Sequence, residues 1–295
     1  MIKRTKGEKI FNVFNCLILA VFALSTLYPL LYTLTMSLST TADAESLGLH
    51  ILPNFKNITL DPYKMVFENV AIWNAYKYTI FRTVVGTALS LLVTCLYAYA
   101  LSRPTLPMKK FFTIFVIFTM LFSGGQIPIY LNIKSLGLID NIWVYVLPSL
   151  LIPYNVIVAR SFFASLPKEI NESAKIDGAG EFRIFFRIIV PLSKPIIMTL
   201  CLWIAVRHWN SWLDGVLYIN DGNKITVQNY IQRIVSDGNT NLISDVNASS
   251  VNEVDVVAKT IQSASIMVSI LPILCVYPFI QKYFVKGVTL GAVKG

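Results

Sequence analysis

The sequence predicts an all-α membrane protein with six transmembrane helices and both termini on the cytoplasmic side. Composition is the first observation, since 55% of the 295 residues are hydrophobic and 14% are charged, whereas about a quarter are charged in an average globular domain. Uncharged runs of about 20 residues, the length that a helix needs to cross a bilayer, are the second observation. The third is the bias of Lys and Arg toward alternate connecting segments.

The predicted spans follow one another along nearly the whole chain after a short cytoplasmic N-terminus at 1–10. We expect helices because a chain in lipid must satisfy its backbone hydrogen bonds internally, and the alternating pattern of barrel strands is absent. The fifth span contains Arg207 and His208, which are costly in lipid and are expected to face a cavity or a partner. The spans are about 11–38, 79–102, 111–133, 141–163, 195–216 and 259–281, all within a transmembrane domain of residues 11–295.

Charge distribution predicts the orientation. With the N-terminus inside, sixteen of the 25 Lys and Arg residues fall in inner segments and five in outer ones, as the positive-inside rule requires. The net charge of +9 therefore needs no nucleic acid to explain it. A cleaved signal peptide ending near Ala42-Asp43-Ala44 is the alternative for the N-terminus, but its apolar run is about twice the usual 7–15 residues, which favours a retained helix.

Several enzyme and metal functions are disfavoured. The stretch Phe122-Ser123-Gly124-Gly125-Gln126 is one residue away from the LSGGQ signature of ABC ATPases, yet no P-loop accompanies it. We interpret its glycines as a place where the backbone turns back between two helices. The four cysteines lie in separate apolar spans without a C-x-x-C spacing or a histidine partner, so neither a metal site nor a disulfide is predicted.

The long cytoplasmic loop 165–195, between the fourth and fifth spans, carries the most specific signal. Pro167 and Glu169 suit the first turn of a helix, and Gly178 suits a left-handed stop. A second helix with an apolar face of helical period follows, and Pro191 and Pro195 are expected to end it before the fifth span. This pattern predicts a docking element, although a helix lying along the inner leaflet is an alternative.

This loop resembles the EAA motif of ABC importer permeases. Glu172-Ser173-Ala174, Gly178, Ile188 and Val190-Pro191 stand at the spacing of that motif, with Ser173 and Val190 departing from its usual residues. The segments FSGGQIPIYLNIKSLGLIDN, WNSWLDGVLYI and GVTLGAVKG extend the likeness over nearly the whole chain. Within the family the chain is most similar to the maltose-permease-like second subunit, in the branch that serves oligosaccharides in Gram-positive bacteria.

The resemblance implies a type I ABC importer permease fold, with the loop acting as a coupling helix in a cleft on a separate ATPase. That ATPase would bind ATP and Mg and hydrolyse the nucleotide, whereas this chain would have no catalytic residue, metal or cofactor. Phe182, Phe185 and Phe186 are expected either to anchor the ATPase or to fix the loop to the spans. The implied coupling residues are Glu172, Ser173, Ala174, Asp177, Gly178, Phe182, Phe185, Phe186 and Pro191.

The resemblance also implies partners and a location. We expect a heterodimer with a second homologous permease, two ABC ATPase subunits and an extracellular sugar-binding lipoprotein, assembled around this multi-pass chain in the lipid of the bacterial plasma membrane. Aromatic and planar polar side chains are typical of sugar sites, although Trp and Tyr are also enriched at membrane interfaces. The candidate substrate-path residues are Gln126, Tyr130, Trp209, Asn210 and Trp212.

The predicted function is therefore that of a permease subunit of an ATP-driven, binding-protein-dependent importer for a carbohydrate, an oligosaccharide in particular. An ABC permease for another solute, such as a peptide or phosphate, is the alternative within transport. A secondary transporter is disfavoured because it predicts inverted repeats and intramembrane carboxylates. No acidic residue lies in the five uncharged runs, and no repeat is evident.

Overall fold

Helices form the regular structure of this chain. The computed structural model describes residues 6–40, 43–44, 57–237 and 258–275, and no strand occurs in those ranges, so the all-α class is confirmed. Two compact units are present, Met1–Val70 with Ile231–Pro272 and Ala71–Tyr230 with Ile273–Gly295. The helices are α1 (Lys6–Ser37), α2 (Asp61–Glu68), α3 (Val70–Ser102), α4 (Lys109–Leu121), α5 (Gln126–Ser135), α6 (Pro153–Ser165), α7 (Lys168–Ile176), α8 (Glu181–Leu192), α9 (Lys194–Asn210), α10 (Leu213–Tyr218), α11 (Val227–Asp237) and α12 (Ala258–Cys275).

Membrane-spanning capacity follows from helix length and apolar composition. Within the described residues, three helices are long and apolar enough to cross a bilayer, Gly7–Ser37, Val70–Ser102 and Ala258–Cys275. The count rises to as many as six if each of three bent helix pairs forms one span. The six-span arrangement with both termini inside stays a prediction.

The predicted third span, 111–133, is divided into two helices in the structure. Helix α4 ends at Leu121, α5 begins at Gln126, and the two are bent by 114°. Gly125 lies at the N-cap of α5 with φ +87°, a conformation that glycine adopts without a steric penalty. The glycine stretch is therefore a turn between helices, as its composition predicts, and the segment is not one straight helix.

The other predicted span limits also differ from the helices. Helix α3 begins at Val70 and not at the predicted residue 79. Lys77 interrupts the uncharged run in the sequence, but a charged side chain does not end a helix. The predicted 141–163 span begins with two 3-10 turns, Ile142–Tyr145 and Leu147–Ser149, before a 48° bend into α6. The 195–216 span is broken after Asn210. Residues 276–281 of the sixth span, and the C-terminal GVTLGAVKG, lie outside the described residues.

A buried apolar cluster in the unit Ala71–Tyr230 joins the loop 165–195 to the ends of several long helices. Small side chains such as Ala98 and Ala159, both with 0% exposure, let the helices approach closely. The loop enters the same cluster, so it is packed against the helical body. The buried members are Cys95, Ala98, Tyr99, Leu101, Val116, Val156, Ala159, Phe163, Ala174, Ile184, Phe185, Ile189 and Leu200.

Candidate functional site: a coupling segment and a polar cavity

The first helix of the coupling segment, which we define as residues 165–195, forms and stops as its sequence predicts. Helix α7 has Pro167 at its N-cap and Glu169 in its first turn. At its C-terminus Gly178 adopts φ +76°. The amide of Ala179 donates to the Ala174 carbonyl at 2.9 Å and that of Gly178 to the Lys175 carbonyl at 3.0 Å. This pair of bonds is a Schellman motif, which satisfies carbonyls left free at a helix end.

The second helix of the segment ends where its prolines predict. Pro191 and Pro195 are expected to end it before the fifth span, and α8 ends at Leu192, between the two, although Pro191 itself lies within the helix. The preceding residues Phe185–Ile189 form a π-helical turn, and the amide of Val190 donates to the Phe185 carbonyl five residues back. The wider turn relieves the contact between a proline ring and the preceding turn that breaks a regular α-helix. The chain then bends by 85° into α9.

The structure separates the three phenylalanines of α8 into two roles. Phe185 is 2% exposed and belongs to the buried cluster, and its ring lies 5.0 Å from that of Tyr99. Phe182 and Phe186 are 74% and 51% exposed. Phe185 therefore fixes the segment to the helical body, while Phe182 and Phe186 remain available at the surface. Of the two roles left open by the sequence, packing against the spans is thus supported for Phe185, and docking stays a prediction for Phe182 and Phe186.

The remaining coupling candidates are mostly exposed. Ala174 is only 7% exposed and packs α7 against the helical body. The sequence prediction missed Ile176, whose side chain is 86% exposed at the last position of α7. Its spacing of four residues after Glu172 would have indicated a shared helix face. The exposed candidates are Glu172, Ser173, Asp177, Gly178 and Pro191.

A second group missed from the sequence is the ion-pair network around Glu181. The Nζ of Lys175 lies 2.7 Å from Glu181 Oε1, and Arg103 Nη2 lies 3.2 Å from Oε2. The hydrogen bond from Lys175 is the largest cause that holds the pKa of Glu181 below its usual value. The network therefore links α7, α8 and the end of α3 through one carboxylate.

A polar cavity of about 410 Å³ lies elsewhere in the same unit. Its wall is built from α3, the glycine turn after α4, α5, the second 3-10 turn, α9 and α10. Charged side chains and hydroxyl groups share the wall with a few apolar residues. The lining residues are Arg82, Ser123, Gly125, Gln126, Ile129, Pro148, Ser149, Arg207, His208, Ser211, Leu213, Asp214, Leu217 and Tyr218.

An ion pair between Arg82 and Asp214 closes one side of this cavity. Arg82 is 2% exposed, and both of its terminal nitrogens donate to the Asp214 carboxylate. Its Nη1 also donates to the Ser211 carbonyl at 3.0 Å, and its guanidinium lies 4.9 Å from the centre of the Tyr145 ring. Asp214 accepts a further bond from Ser211 Oγ at 3.1 Å. This bidentate pair holds the start of α10 against α3.

His208 is fixed in the cavity wall by close packing against α3. A Cβ placed on Gly86 would lie 2.6 Å from the His208 ring, so only glycine at this position lets the two helices approach so closely. Arg207 beside it is exposed and lines the cavity. Arg207 and His208 of the fifth predicted span therefore both line a cavity, as expected for polar residues in an apolar segment.

The predicted substrate-path residues are only partly brought together. Gln126 lines the cavity, and Tyr130 stacks on the lining residue Tyr218 with 5.9 Å between ring centroids. Trp209, Asn210 and Trp212 are not among the lining residues, and their role stays a prediction. The sequence suggested a site of aromatic and planar polar side chains, whereas the cavity wall combines charged and hydroxyl-bearing residues and one amide with aliphatic side chains, and Tyr218 is its one aromatic ring of Tyr, Trp or Phe.

Comparison with known proteins places these features in a family. The model of the binding-protein-dependent transport system inner membrane component matches residues 80–290. Protein LplC of Bacillus subtilis (strain 168) is 41% identical over 294 residues, which cover 99% of this chain and 97% of LplC. The polygalacturonan/rhamnogalacturonan transport system permease protein YtcP of the same organism is 38% identical, with 98% and 99% covered.

A solved structure agrees with these sequence matches. A chain of a bacterial ABC transporter involved in the import of the acidic polysaccharide alginate superposes with a TM-score of 0.84 at 32% identity, covering 96% of this chain and all of that one. The matched region contains both the coupling segment and the cavity. The chain is a membrane protein, and it belongs to the family of binding-protein-dependent transport system inner membrane components.

Proposed function

We propose that this chain is a permease subunit of an ATP-driven, binding-protein-dependent importer of a carbohydrate, specifically an oligosaccharide. The observation that carries the proposal is the coupling segment, a helix, a left-handed glycine turn and a second helix. Its buried residues Ala174 and Phe185 pack into the helical body, and Glu172 is exposed. A rigid segment with an exposed face can transmit movement of a docked protein to the spans.

The exposed face of the segment has the composition of a docking surface. Ile176 is 86% exposed and lies on α7 between the exposed acidic residues Glu172 and Asp177, and Phe182 on α8 is 74% exposed. Apolar side chains rimmed by charge mark a surface that another protein covers. We assign this face to a separate ABC ATPase, on which ATP and Mg bind. In this account the permease chain has no catalytic residue or cofactor of its own.

The remaining parts of the proposal concern the assembly and its cargo. A second homologous permease, two ATPase subunits and an extracellular sugar-binding lipoprotein complete the importer in the bacterial plasma membrane. Six spans with both termini inside place the coupling segment in the cytoplasm. The carbohydrate assignment is supported by the names of two relatives, which specify polygalacturonan/rhamnogalacturonan and alginate.

Affinity purification of the tagged chain from its native membrane in mild detergent, followed by mass spectrometry, tests the proposal. We expect a second permease, an ABC ATPase and a sugar-binding lipoprotein to co-purify, and the lipoprotein to bind oligosaccharides. Recovery of the chain alone, or only of copies of itself, would count against an importer. A lipoprotein that binds peptides or phosphate would retain the importer and reject the carbohydrate.

A further inference from the structure

The polar cavity contains a cation that no described residue neutralises. Arg82 is satisfied by Asp214, with which it shares a bidentate ion pair. Arg207 lines the same cavity, is exposed, and forms no ion pair with any residue that the structure describes. One carboxylate therefore faces two guanidinium groups, and the wall retains an uncompensated positive charge at Arg207.

The neutral groups around this cation are suited to hydroxyl-rich ligands. Gln126, which is exposed, lines the wall together with Ser123, Ser149 and Ser211. The Ser149 and Ser211 hydroxyls donate to the Val146 carbonyl and to Asp214, so their oxygens remain as acceptors. Tyr218 is the only Tyr, Trp or Phe among the lining residues. A site for a neutral sugar would rely on aromatic faces, whereas this wall combines charged and hydrogen-bonding groups with aliphatic side chains. The cavity volume of about 410 Å³ lies within the usual range of small-molecule sites.

We propose that this cavity binds an acidic oligosaccharide, with Arg207 contacting a uronate carboxylate and Gln126 contacting a sugar hydroxyl. The inference rests on the proposed function and adds the charge of the cargo. A guanidinium offers a planar pair of donors that matches a carboxylate, and such charge-assisted bonds are among the strongest in proteins. An arginine in an apolar helix is costly unless it faces a cavity or is paired. Arg207 faces this cavity and has no ion-pair partner among the described residues, and an anionic ligand would supply one.

Arg82 has a different role at this site. Both of its terminal nitrogens are engaged by Asp214, one of them also donates to the Ser211 carbonyl, and its guanidinium lies against Tyr145. Contact with a sugar carboxylate would require it to leave that pair. Arg82 thus shapes the wall, whereas Arg207 is the residue whose charge is free to select the cargo.

Uptake by the whole importer, reconstituted in liposomes with its own binding protein, ATPase and second permease, tests the inference. Labelled trigalacturonate is the acidic probe and galactotriose the neutral one. The variants are Arg207→Gln, Arg207→Lys and the control Lys134→Gln, an exposed cation in the last turn of α5 that does not line the cavity. All variants share one binding protein, so differences between them report on this chain.

We expect the wild-type importer to take up trigalacturonate, and Arg207→Gln to raise its half-saturating concentration about tenfold or more, the effect of losing one charge-assisted hydrogen bond. Arg207→Lys should restore most of the apparent affinity, and Lys134→Gln should match the wild type. The same Arg207→Gln change should leave any uptake of galactotriose unaltered. Because a merely structural role would change uptake of both sugars, this selectivity supports a direct contact.

Other results would overturn the inference. No effect of Arg207→Gln, or an equal loss for both sugars, would exclude a selective contact. Loss of the second permease from purified Arg207→Gln complexes would reassign the arginine to an ion pair between subunits. Uptake of galactotriose but not trigalacturonate by the wild type would reject the acidic cargo and keep the carbohydrate importer. If the wild type takes up neither of these sugars, nor any other oligosaccharide, the acidic cargo and the carbohydrate importer are both rejected.

Discussion

Tyr99 donates a hydrogen bond of 2.8 Å from its hydroxyl to Oε2 of Glu181, which joins the end of α3 to the first residue of α8. Arg103 contacts both partners, since its guanidinium lies 4.3 Å from the centre of the Tyr99 ring and Nη2 lies 3.2 Å from the same carboxylate oxygen. Lys175 of α7 binds the other oxygen. Glu181 therefore links the coupling segment to the end of α3, beside the buried contact between Phe185 and Tyr99.

Glu181→Gln is expected to weaken this connection while leaving the segment folded. The glutamine keeps the shape but loses the charge that pairs with Lys175 and Arg103, so less sugar should be imported per ATP hydrolysed. The Glu181 side chain is 47% exposed, and a partly solvated pair contributes no more than about 1 kcal/mol to the free energy of unfolding. The ratio of uptake to hydrolysis in liposomes is the measurement, with the exposed Glu169→Gln as control.

The pH dependence of stability gives an independent check on Glu181. Since its pKa is lowered from 4.5, the stabilisation is complete above that value and is lost as the pH falls through the lowered pKa. The difference in unfolding free energy between wild type and Glu181→Gln should therefore persist at neutral pH and shrink in that acidic range. A difference that stays constant throughout would contradict the ion-pair account.

Truncation of Phe185 and truncation of Phe182, three residues apart, should affect different properties of the protein. Phe185→Ala removes a buried ring and should lower the free energy of unfolding by about 3–5 kcal/mol. Phe182→Ala changes an exposed side chain and should alter that free energy by less than about 0.5 kcal/mol, yet reduce the amount of ATPase that co-purifies. Thermal unfolding in detergent and quantitative co-purification separate the two effects. Equal ATPase retention in Phe182→Ala and wild type would exclude Phe182 from the docking surface.

Gly178 is expected to be required because its backbone is in the left-handed region, which glycine adopts without a steric penalty. Its φ is +76°, and a Cβ added there would meet no atom within 4 Å, so the cost of substitution comes from the left-handed backbone, about 1–2 kcal/mol for most residues. Gly178→Val should reduce binding-protein-stimulated ATP hydrolysis, while Gly178→Asn, which tolerates this conformation, should retain more of it. Equal losses would point to side-chain bulk in the ATPase cleft instead.

Glu172→Lys tests the docking surface by charge reversal. Glu172 is exposed on α7, so the variant should insert into the membrane normally but lose stimulated ATP hydrolysis as like charge enters the interface. The control Glu68→Lys reverses an exposed carboxylate at the end of α2 and should retain the ATPase in purified complexes. Full stimulated hydrolysis in Glu172→Lys complexes would show that the coupling assignment is wrong.

Asp214→Ala should be the most destabilising change in the cavity wall. It leaves the Arg82 guanidinium buried without its partner, and breaking a buried pair in this way costs about 3–5 kcal/mol. The double change Arg82→Met with Asp214→Leu should recover most of that loss, since no charge then remains buried. Asp140→Ala removes a partly exposed ion pair with Lys224. It should lower the free energy of unfolding by no more than about 1 kcal/mol. Chemical unfolding of the purified chain distinguishes these cases.

The coupling segment shows which structural features can be predicted from local sequence and which cannot. The stop of α7 at Gly178 could be predicted because the left-handed conformation is a property of one residue and its neighbours. The π-helical turn Phe185–Ile189 could not be predicted in this way, since Phe185 and Ile189 within it are buried against the helical body. Likewise, helical period alone indicated an apolar face but not that Phe185 would be buried and Phe182 exposed.

The sequence by itself determined the membrane class, the helical composition, the family and the position of the coupling segment, because hydrophobicity, charge bias and motif spacing are properties of short stretches. Only the tertiary structure decided which side chains meet. Arg82 and Asp214 stand 132 residues apart, and Tyr99 and Glu181 stand 82 apart, so no local pattern pairs them. The cavity, and the place of Arg207 within it without an ion-pair partner among the described residues, arise from helices brought together by the fold.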